Sequence, residues 1–138
     1  MSDFTVYTDD ANRVRRLMQA YQSNVKADYI MLVHRDGSII SEVGSIGMDT
    51  TPLAVLSTAS FGSAKQIGVM LGEGEFRSVS YTGSKRSIYI APVEDALLLV
   101  QIFPGKLPSR IEDYNKLLVE KLVEAVPAFT QNTSKIHH

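Results

Sequence analysis

The stretch that decides the fold is DTTPLAVLSTASFGSAKQIGVMLG, residues 49–72. Its first residues are those that open a helix, since they combine negative charge, hydroxyl oxygens for the free N–H groups of the first turn, and a proline at the first helical position: Asp49, Thr50, Thr51 and Pro52. Gly72 is a typical helix stop. The stretch therefore predicts one long helix.

This helix is expected to have no side that is suited to water. Lys65 is its only charged residue between Pro52 and Leu71. At about 100° per residue, one side is predicted to face a sheet, and it consists of Leu53, Leu56, Ser57, Ser60, Ala64, Ile67 and Leu71. The opposite side consists of Val55, Ala59, Gly62, Gln66 and Val69. Because a helix that is apolar nearly all round is buried all round, we predict that a second subunit covers the side away from the sheet.

Length and composition narrow the class of protein. A chain of 138 residues is expected to form one domain with a conventional core. Its 14 Lys and Arg against 15 Asp and Glu give no long-range attraction for nucleic acid or an anionic membrane. Zero cysteines exclude disulfides and thiolate chemistry. No run resembles a secretion signal or a membrane span, so we expect a cytoplasmic protein without membrane insertion.

The residues before the central helix predict a helix and a hairpin. Residues 9–26 carry apolar side chains at helical spacing. Residues 28–35 and 38–43 are rich in β-formers and flank Asp36-Gly37, a dipeptide that favours hairpin turns. A helix followed by two antiparallel strands is therefore expected.

Three strands and a last helix are predicted after the central helix. The run Glu75–Tyr81 alternates polar and apolar residues, which is typical of a strand at a sheet edge. The run ALLLVQIF, residues 96–103, is almost continuously apolar, which is typical of a central strand that is covered on both faces. Apolar residues at helical spacing then predict a helix that Pro127 ends.

No motif in the sequence predicts catalysis. The nucleotide-binding pattern GxxxxGK[ST] is absent, as are GxSxG, HExxH and CxxC. His34 has no second histidine or carboxylate at a metal-ligating spacing, so it is interpreted as a surface histidine at a strand end. We expect no catalytic residues, no metal and no cofactor, and a binding module is the favoured class over an enzyme.

Four passages resemble the Roadblock (dynein light chain) domain family. They are LVHRDGSIISEVG (residues 32–44), MDTTPLAVLSTASFGSAKQI (48–67), LGEGEF (71–76) and ALLLVQIF (96–103). The resemblance covers about residues 10 to 125 and implies a Roadblock domain at 10–126. We expect residues 1–9 to form an N-terminal lead and residues 127–138 to form a disordered tail.

The resemblance implies an α+β fold of the Roadblock/profilin-like type. Its five-stranded antiparallel sheet would carry the long helix on one face and the two terminal helices on the other. It also implies a homodimer in which the third strands meet edge to edge. The residues of that predicted dimer interface are Phe76, Arg77, Ser78, Val79, Ser80 and Tyr81.

The helix start and the LGEGEF exit are most similar to the bacterial polarity regulators of this family, which act on a Ras-like small GTPase of the MglA type. The resemblance implies a homodimeric, non-catalytic regulator that binds such a GTPase, and it leaves open whether GTP hydrolysis is activated. The predicted partner-binding residues lie on the side of the central helix away from the sheet: Val55, Thr58, Ala59, Gly62, Lys65, Gln66 and Val69.

A structural adaptor is the alternative that the sequence leaves open. Relatives of the dynein light chain and lysosomal-scaffold type dimerise and tether without an effect on GTP hydrolysis. The polarity regulators continue past the last helix with a segment that contacts the GTPase, whereas this sequence ends at His138. We therefore expect no activity that depends on that segment. The identity of the GTPase and the stoichiometry are not predicted.

Overall fold

The computed structural model describes residues 8–127 and residue 129. Within these residues the chain forms, in order, α1 (Thr8–Val25), β1 (Tyr29–His34), β2 (Ile39–Gly44), α2 (Thr51–Met70), β3 (Val79–Thr82), β4 (Arg86–Val93), β5 (Leu97–Pro104) and α3 (Ile111–Ala125). The predicted order of helices and strands is confirmed. The predicted N-terminal lead and the end of the predicted tail lie outside the described residues.

The five strands form one antiparallel sheet in the order β2-β1-β5-β4-β3. β5 lies in the middle and every residue of Leu97–Phe103 is buried, as its apolar sequence predicts. β3 lies at one edge, which confirms the expected position of the third strand. β2 forms the other edge.

Two helices cover one face of the sheet, and one helix covers the other face. On one face, α1 and α3 enclose the larger core, with Val14, Met18, Leu118 and Leu122 fully or almost fully buried. On the other face, α2 packs over a smaller core through Ala54 and Phe61. The predicted α+β fold, with one helix on one face and two on the other, is confirmed.

Turn chemistry explains the β1–β2 hairpin. Gly37 has φ +97°, a backbone conformation that residues with a side chain rarely adopt. The Asp36 carboxylate accepts a hydrogen bond from the Ser38 N–H at 2.9 Å. Hydrogen bonds from Ser38 hold the pKa of Asp36 below its ordinary value.

A chain of hydrogen bonds between side chains ties the α1/α3 layer to the sheet. The Tyr21 hydroxyl donates to Gln101 Oε1 at 2.8 Å, and Gln101 Nε2 donates to Asn115 Oδ1 at 2.8 Å. Burial raises the pKa of Tyr21, so its hydroxyl keeps the proton that it donates. Phe129 is buried in the same core, so at least one residue of the segment beyond Pro127 belongs to the packed domain.

The structure corrects the predicted rotation of the central helix. The residues of α2 that are buried against the sheet are Ala54, Ser57, Phe61 and Gly68. Leu56, Ile67 and Leu71, which were predicted to face the sheet, are exposed. Phe61 is the largest side chain of the helix, and the small residues one and two turns away let the helix approach the sheet around it.

The start of the central helix also differs from the prediction. Neither Thr50 nor Thr51 caps it, since the Thr50 hydroxyl donates to Glu42 at 3.1 Å instead. The Asp49 carboxylate accepts the Thr51 N–H at 3.1 Å. The Asp49 carboxylate therefore lies at the helix start, where the sequence predicts a negative charge.

The third strand begins later than predicted. β3 starts at Val79, so Phe76, Arg77 and Ser78 of the predicted interface strand belong to the loop that precedes it. The cause is the tight exit from α2, where the N–H groups of Glu73 and Gly74 both donate to the Gly68 carbonyl. The chain leaves this turn several residues before it reaches the sheet.

Candidate partner-binding surface

The outward side of α2 is apolar and exposed. We call it the α2 outer surface, and its large apolar residues are Val55, Leu56, Ile67, Val69 and Met70, which are 52 to 85% exposed. Ala59, Gly62 and Ser63 lie between them and are also exposed. Of the ten large apolar residues that the described chain leaves exposed, all but two lie on α2, beside its ends, or on β3. Such a concentration is typical of an interaction surface.

One half of this surface borders the sheet edge. We call it the α2–β3 groove, a depression of about 480 Å³ lined by Leu56, Ala59, Ser60, Ser63, Ala64, Ile67, Val79 and Tyr81. The hydroxyls of Ser60 and Tyr81 hydrogen-bond to each other across it. Because β3 pairs only with β4 among the described strands, its second edge is free to pair with another strand.

The other half of the α2 outer surface borders the β1–β2 turn. A Cβ atom built on Gly37 would lie 3.3 Å from Val55 Cγ2 and 4.0 Å from Thr58 Oγ1. The Thr58 hydroxyl is occupied, since it donates to the Val55 carbonyl at 2.8 Å. This side of the helix therefore has a wall formed by the hairpin turn.

The loop that follows α2 is held by ionic contacts. Arg35 Nη2 lies 2.9 Å from Glu75 Oε1, and the Arg35 guanidinium carbon lies 5.5 Å from the centre of the Phe61 ring. Lys65 Nζ lies 4.0 Å from the second oxygen of Glu75. The loop between α2 and β3 is thus attached both to the β1–β2 turn and to α2 itself.

The predicted partner-binding residues are placed as follows. Five of them lie together on the α2 outer surface: Val55, Ala59, Gly62, Gln66 and Val69. Thr58 is half-buried, and Lys65 is exposed beside Glu75. Lys65 is therefore part of the contacts that hold the loop, in addition to being a charge at the rim of the surface.

Sequence reasoning missed Leu56, Ile67 and Met70 as surface residues. Their exposure follows from the burial of Phe61, which lies on the opposite side of the helix. The signal was present in the sequence, because Phe61 lies seven residues after Ala54, four after Ser57 and seven before Gly68, and this spacing marks one helical face. The prediction placed leucines against the sheet, in the position that the Phe61 ring occupies.

Neither a metal site nor a membrane span is found in the part of the chain that the structure describes. Among residues 8–127 and 129, His, Cys, Asp and Glu side chains form no group of three that could hold a metal ion. His34 contacts the Asp36 carboxylate at 3.3 Å within the hairpin turn. No helix in the described chain combines the length and hydropathy that a bilayer crossing requires.

The sheet with one long helix on one face and two helices on the other defines an α+β domain of the profilin-like type. The family model for the Roadblock/LC7 domain matches residues 13–103. The chain belongs to the Roadblock/LC7 family. No curated protein matches it at the sequence level.

Solved structures with the same fold include MglB and profilin. MglB from Myxococcus xanthus is 23% identical with a TM-score of 0.80, over 90% of this chain and 95% of that chain. A structure of MglB with a tetrameric arrangement is 18% identical with a TM-score of 0.81, over 91% of this chain and 96% of that chain. Profilin from Schizosaccharomyces pombe is 18% identical with a TM-score of 0.53, over 86% of this chain and 98% of that chain. At these identities the likeness shows the fold.

Proposed function

We propose that the protein is a homodimeric, non-catalytic regulator that binds a Ras-like small GTPase through α2. The observation that carries the proposal is the α2 outer surface, because one chain leaves it apolar and exposed beside a free sheet edge. An exposed apolar patch and a free sheet edge are both typical of surfaces that bind a partner. The likeness to MglB structures and the resemblance of the α2 start to bacterial polarity regulators support a GTPase as that partner.

The surface has room for two occupants. We assign the α2–β3 groove and the β3 edge to a second copy of the chain. The two are continuous, because Val79 and Tyr81 of β3 line the groove together with residues of α2. In this dimer Val79, Ser80 and Tyr81 would pair with the partner strand, while Phe76, Arg77 and Ser78 would flank it from the loop. We assign the half beside the β1–β2 turn to the GTPase. Its residues are Val55, Gly62, Gln66 and Val69, and Ala59 lies at the boundary between this half and the α2–β3 groove.

The proposed GTPase site can pack against a partner but has no group that could take part in catalysis. Its residues carry no charge and no nucleophile, so they cannot supply an arginine finger to a bound nucleotide. They can favour one arrangement of the mobile switch loops of the GTPase by packing against it. Such a contact would regulate hydrolysis by shifting the population of the active arrangement.

The test is single-turnover GTP hydrolysis by the Ras-like GTPase that is encoded nearest to this gene, with and without the protein. We expect the wild type to bind the GTPase and to change the hydrolysis rate. Val69→Glu places a charge on the proposed GTPase site and is expected to abolish the change. Tyr114→Glu on α3 is the matched control and is expected to behave as wild type.

The same assay distinguishes the alternative of a structural adaptor. Binding that Val69→Glu abolishes, without any change in the hydrolysis rate, would support the adaptor. Unchanged binding and hydrolysis in Val69→Glu, together with loss in Tyr114→Glu, would place the partner on the opposite face and contradict the proposal.

A further inference from the structure

Beside the α2–β3 groove, a separate pocket lies at the end of the sheet where β3 turns into β4. We call it the β3–β4 pocket. Its volume is about 370 Å³, and ligand pockets in proteins usually measure about 300–1000 Å³. The apolar residues that line it come from β3, β4, β5, the start of α2 and the loop before α2: Ile46, Met48, Leu53, Tyr81, Ile88 and Ile102.

The walls of this pocket suit an apolar group. Ile46, Leu53, Ile88 and Ile102 belong to or pack against the smaller core, under α2. Ser87 lines the pocket as a buried polar side chain, but its hydroxyl already donates to the Gly105 carbonyl at 2.6 Å and accepts the Gly83 N–H at 3.3 Å. An apolar side chain could therefore fill the pocket without leaving this buried hydroxyl unpaired.

Basic residues lie along one side of the pocket. Arg86 lines it directly. The Gly105 N–H donates to the Lys85 carbonyl at 2.8 Å, which brings the loop that carries Lys106 beside the β3–β4 turn. We call Lys85, Arg86 and Lys106 the basic rim. All three are exposed, and none forms an ion pair with another residue among 8–127 and 129.

The positive charge of the basic rim is not balanced at the pocket. Within the described chain, no acidic residue lines it. Asp49 follows Met48 in the chain, but its carboxylate accepts the Thr51 N–H at the start of α2. The described chain begins with α1 and ends at Phe129, and both pack on the opposite face of the sheet. The rim is therefore available to carboxylates from another molecule.

We propose that the β3–β4 pocket binds an acidic segment of a partner protein, with one large apolar side chain in the pocket and carboxylates on the basic rim. The shape of the pocket favours a peptide over an anionic membrane. Ile102 is only 6% exposed and lies inside a depression. A membrane-binding surface instead presents apolar side chains that project into the bilayer.

This pocket is distinct from the site proposed for the GTPase. Tyr81 lines both the β3–β4 pocket and the α2–β3 groove, so the pocket adjoins the proposed dimer interface. The residues assigned to the GTPase do not line it. The inference therefore goes beyond the proposed function, and each can fail without the other.

Amide chemical shifts of the isotope-labelled protein test the inference, with a peptide that has one Phe between two runs of three Glu as the probe. We expect shift changes at Met48, Thr82 and Arg86. Arg86→Glu reverses the charge of the rim and is expected to weaken peptide binding about tenfold. Lys116→Glu, an exposed change of the same kind on α3, is the matched control and is expected to bind as wild type.

The apolar part of the site is tested separately. A peptide with Ala in place of Phe leaves the pocket empty and is expected to bind severalfold more weakly. Met48→Glu places a negative charge at the exposed mouth of the pocket and is expected to weaken binding of the Phe peptide as well. Shifts of residues far from the pocket should stay as in wild type, which confirms that both variants fold.

Three results would overturn the inference. The first is an absence of shift changes in the pocket, which includes the case of a second copy of the chain already seated there. The second is equal weakening of peptide binding by Arg86→Glu and Lys116→Glu. The third is co-sedimentation with vesicles of phosphatidylcholine and phosphatidylserine that Arg86→Glu abolishes, without peptide binding, since the rim would then bind lipid. We expect the protein to remain in the supernatant.

Discussion

The two faces of the sheet are completed in different ways. On the α1/α3 face, each helix has an apolar stripe toward the sheet and charged residues toward water, for example Arg15 and Arg16 on α1. On the α2 face, the helix is buried through four residues and exposes large apolar side chains on the rest of its surface. The first face leaves few large apolar side chains exposed, and the second leaves most of them exposed.

The difference leaves separate residues of the same helix for burial against the sheet and for the proposed association. Ala54 and Phe61 attach α2 to its own sheet. Leu56, Ile67 and Met70 contribute little to that contact and are available to a partner. Substitutions on the two sides of α2 should therefore affect different properties, the first folding and the second association.

The largest effect is expected from Phe61→Ala. Phe61 is the largest buried side chain of α2, and its removal leaves a cavity against the sheet. We expect the free energy of unfolding to fall by about 3–5 kcal/mol. Urea denaturation at a fixed protein concentration measures this, and Gln66→Ala on the exposed side of the same helix is the control. Equal losses for the two variants would mean that Phe61 does not attach the helix.

A smaller effect is expected from Tyr21→Phe on the α1/α3 face. The substitution removes the hydroxyl that donates to Gln101, a residue that is 0% exposed, and leaves a buried amide oxygen without a donor. We expect a loss of about 1–3 kcal/mol in the free energy of unfolding. The exposed Tyr114→Phe is the control and should leave stability unchanged. A Tyr21→Phe variant as stable as wild type would show that water replaces the hydroxyl.

The smallest effect is expected from Glu75→Gln at the exit of α2. The substitution weakens the ion pairs with Arg35 and Lys65, which are partly exposed. We expect a loss below about 1 kcal/mol, which shrinks as salt is added because salt screens the wild-type pairs. Denaturation at low and high ionic strength measures it. A larger loss that salt does not change would mean that Glu75 acts through packing.

The sequence predicts most of the fold because its signals are local. Gly37 and Gly72 mark the hairpin turn and the end of α2, and both adopt the positive φ that such positions require. The apolar run at 96–103 predicts the central strand because only a strand covered on both faces needs apolar residues on both sides.

The rest depends on the size and packing of side chains, which the polarity pattern does not show. The rotation of α2 could not be read from polarity, because a helix with one charge has no polar side to orient it, and the size of Phe61 decides instead. The start of β3 depends on how Gly68 and Gly74 pack at the exit turn, where a Cβ on Gly68 would lie 1.9 Å from the Gly74 carbonyl oxygen. Five of the seven predicted partner-binding residues share one exposed surface, yet what binds them is not encoded in local pattern.

The central claim is that the α2 and β3 side of the molecule, and not the α1/α3 side, holds a second copy of the chain. Sedimentation velocity at micromolar concentration tests it with two matched leucines. Leu56 on α2 is 66% exposed and Leu117 on α3 is 56% exposed, so neither substitution by Glu disturbs a core. We expect dimers for wild type and Leu117→Glu, and monomers for Leu56→Glu. A monomeric wild type, or a dimer that Leu117→Glu dissociates and Leu56→Glu does not, would contradict the claim.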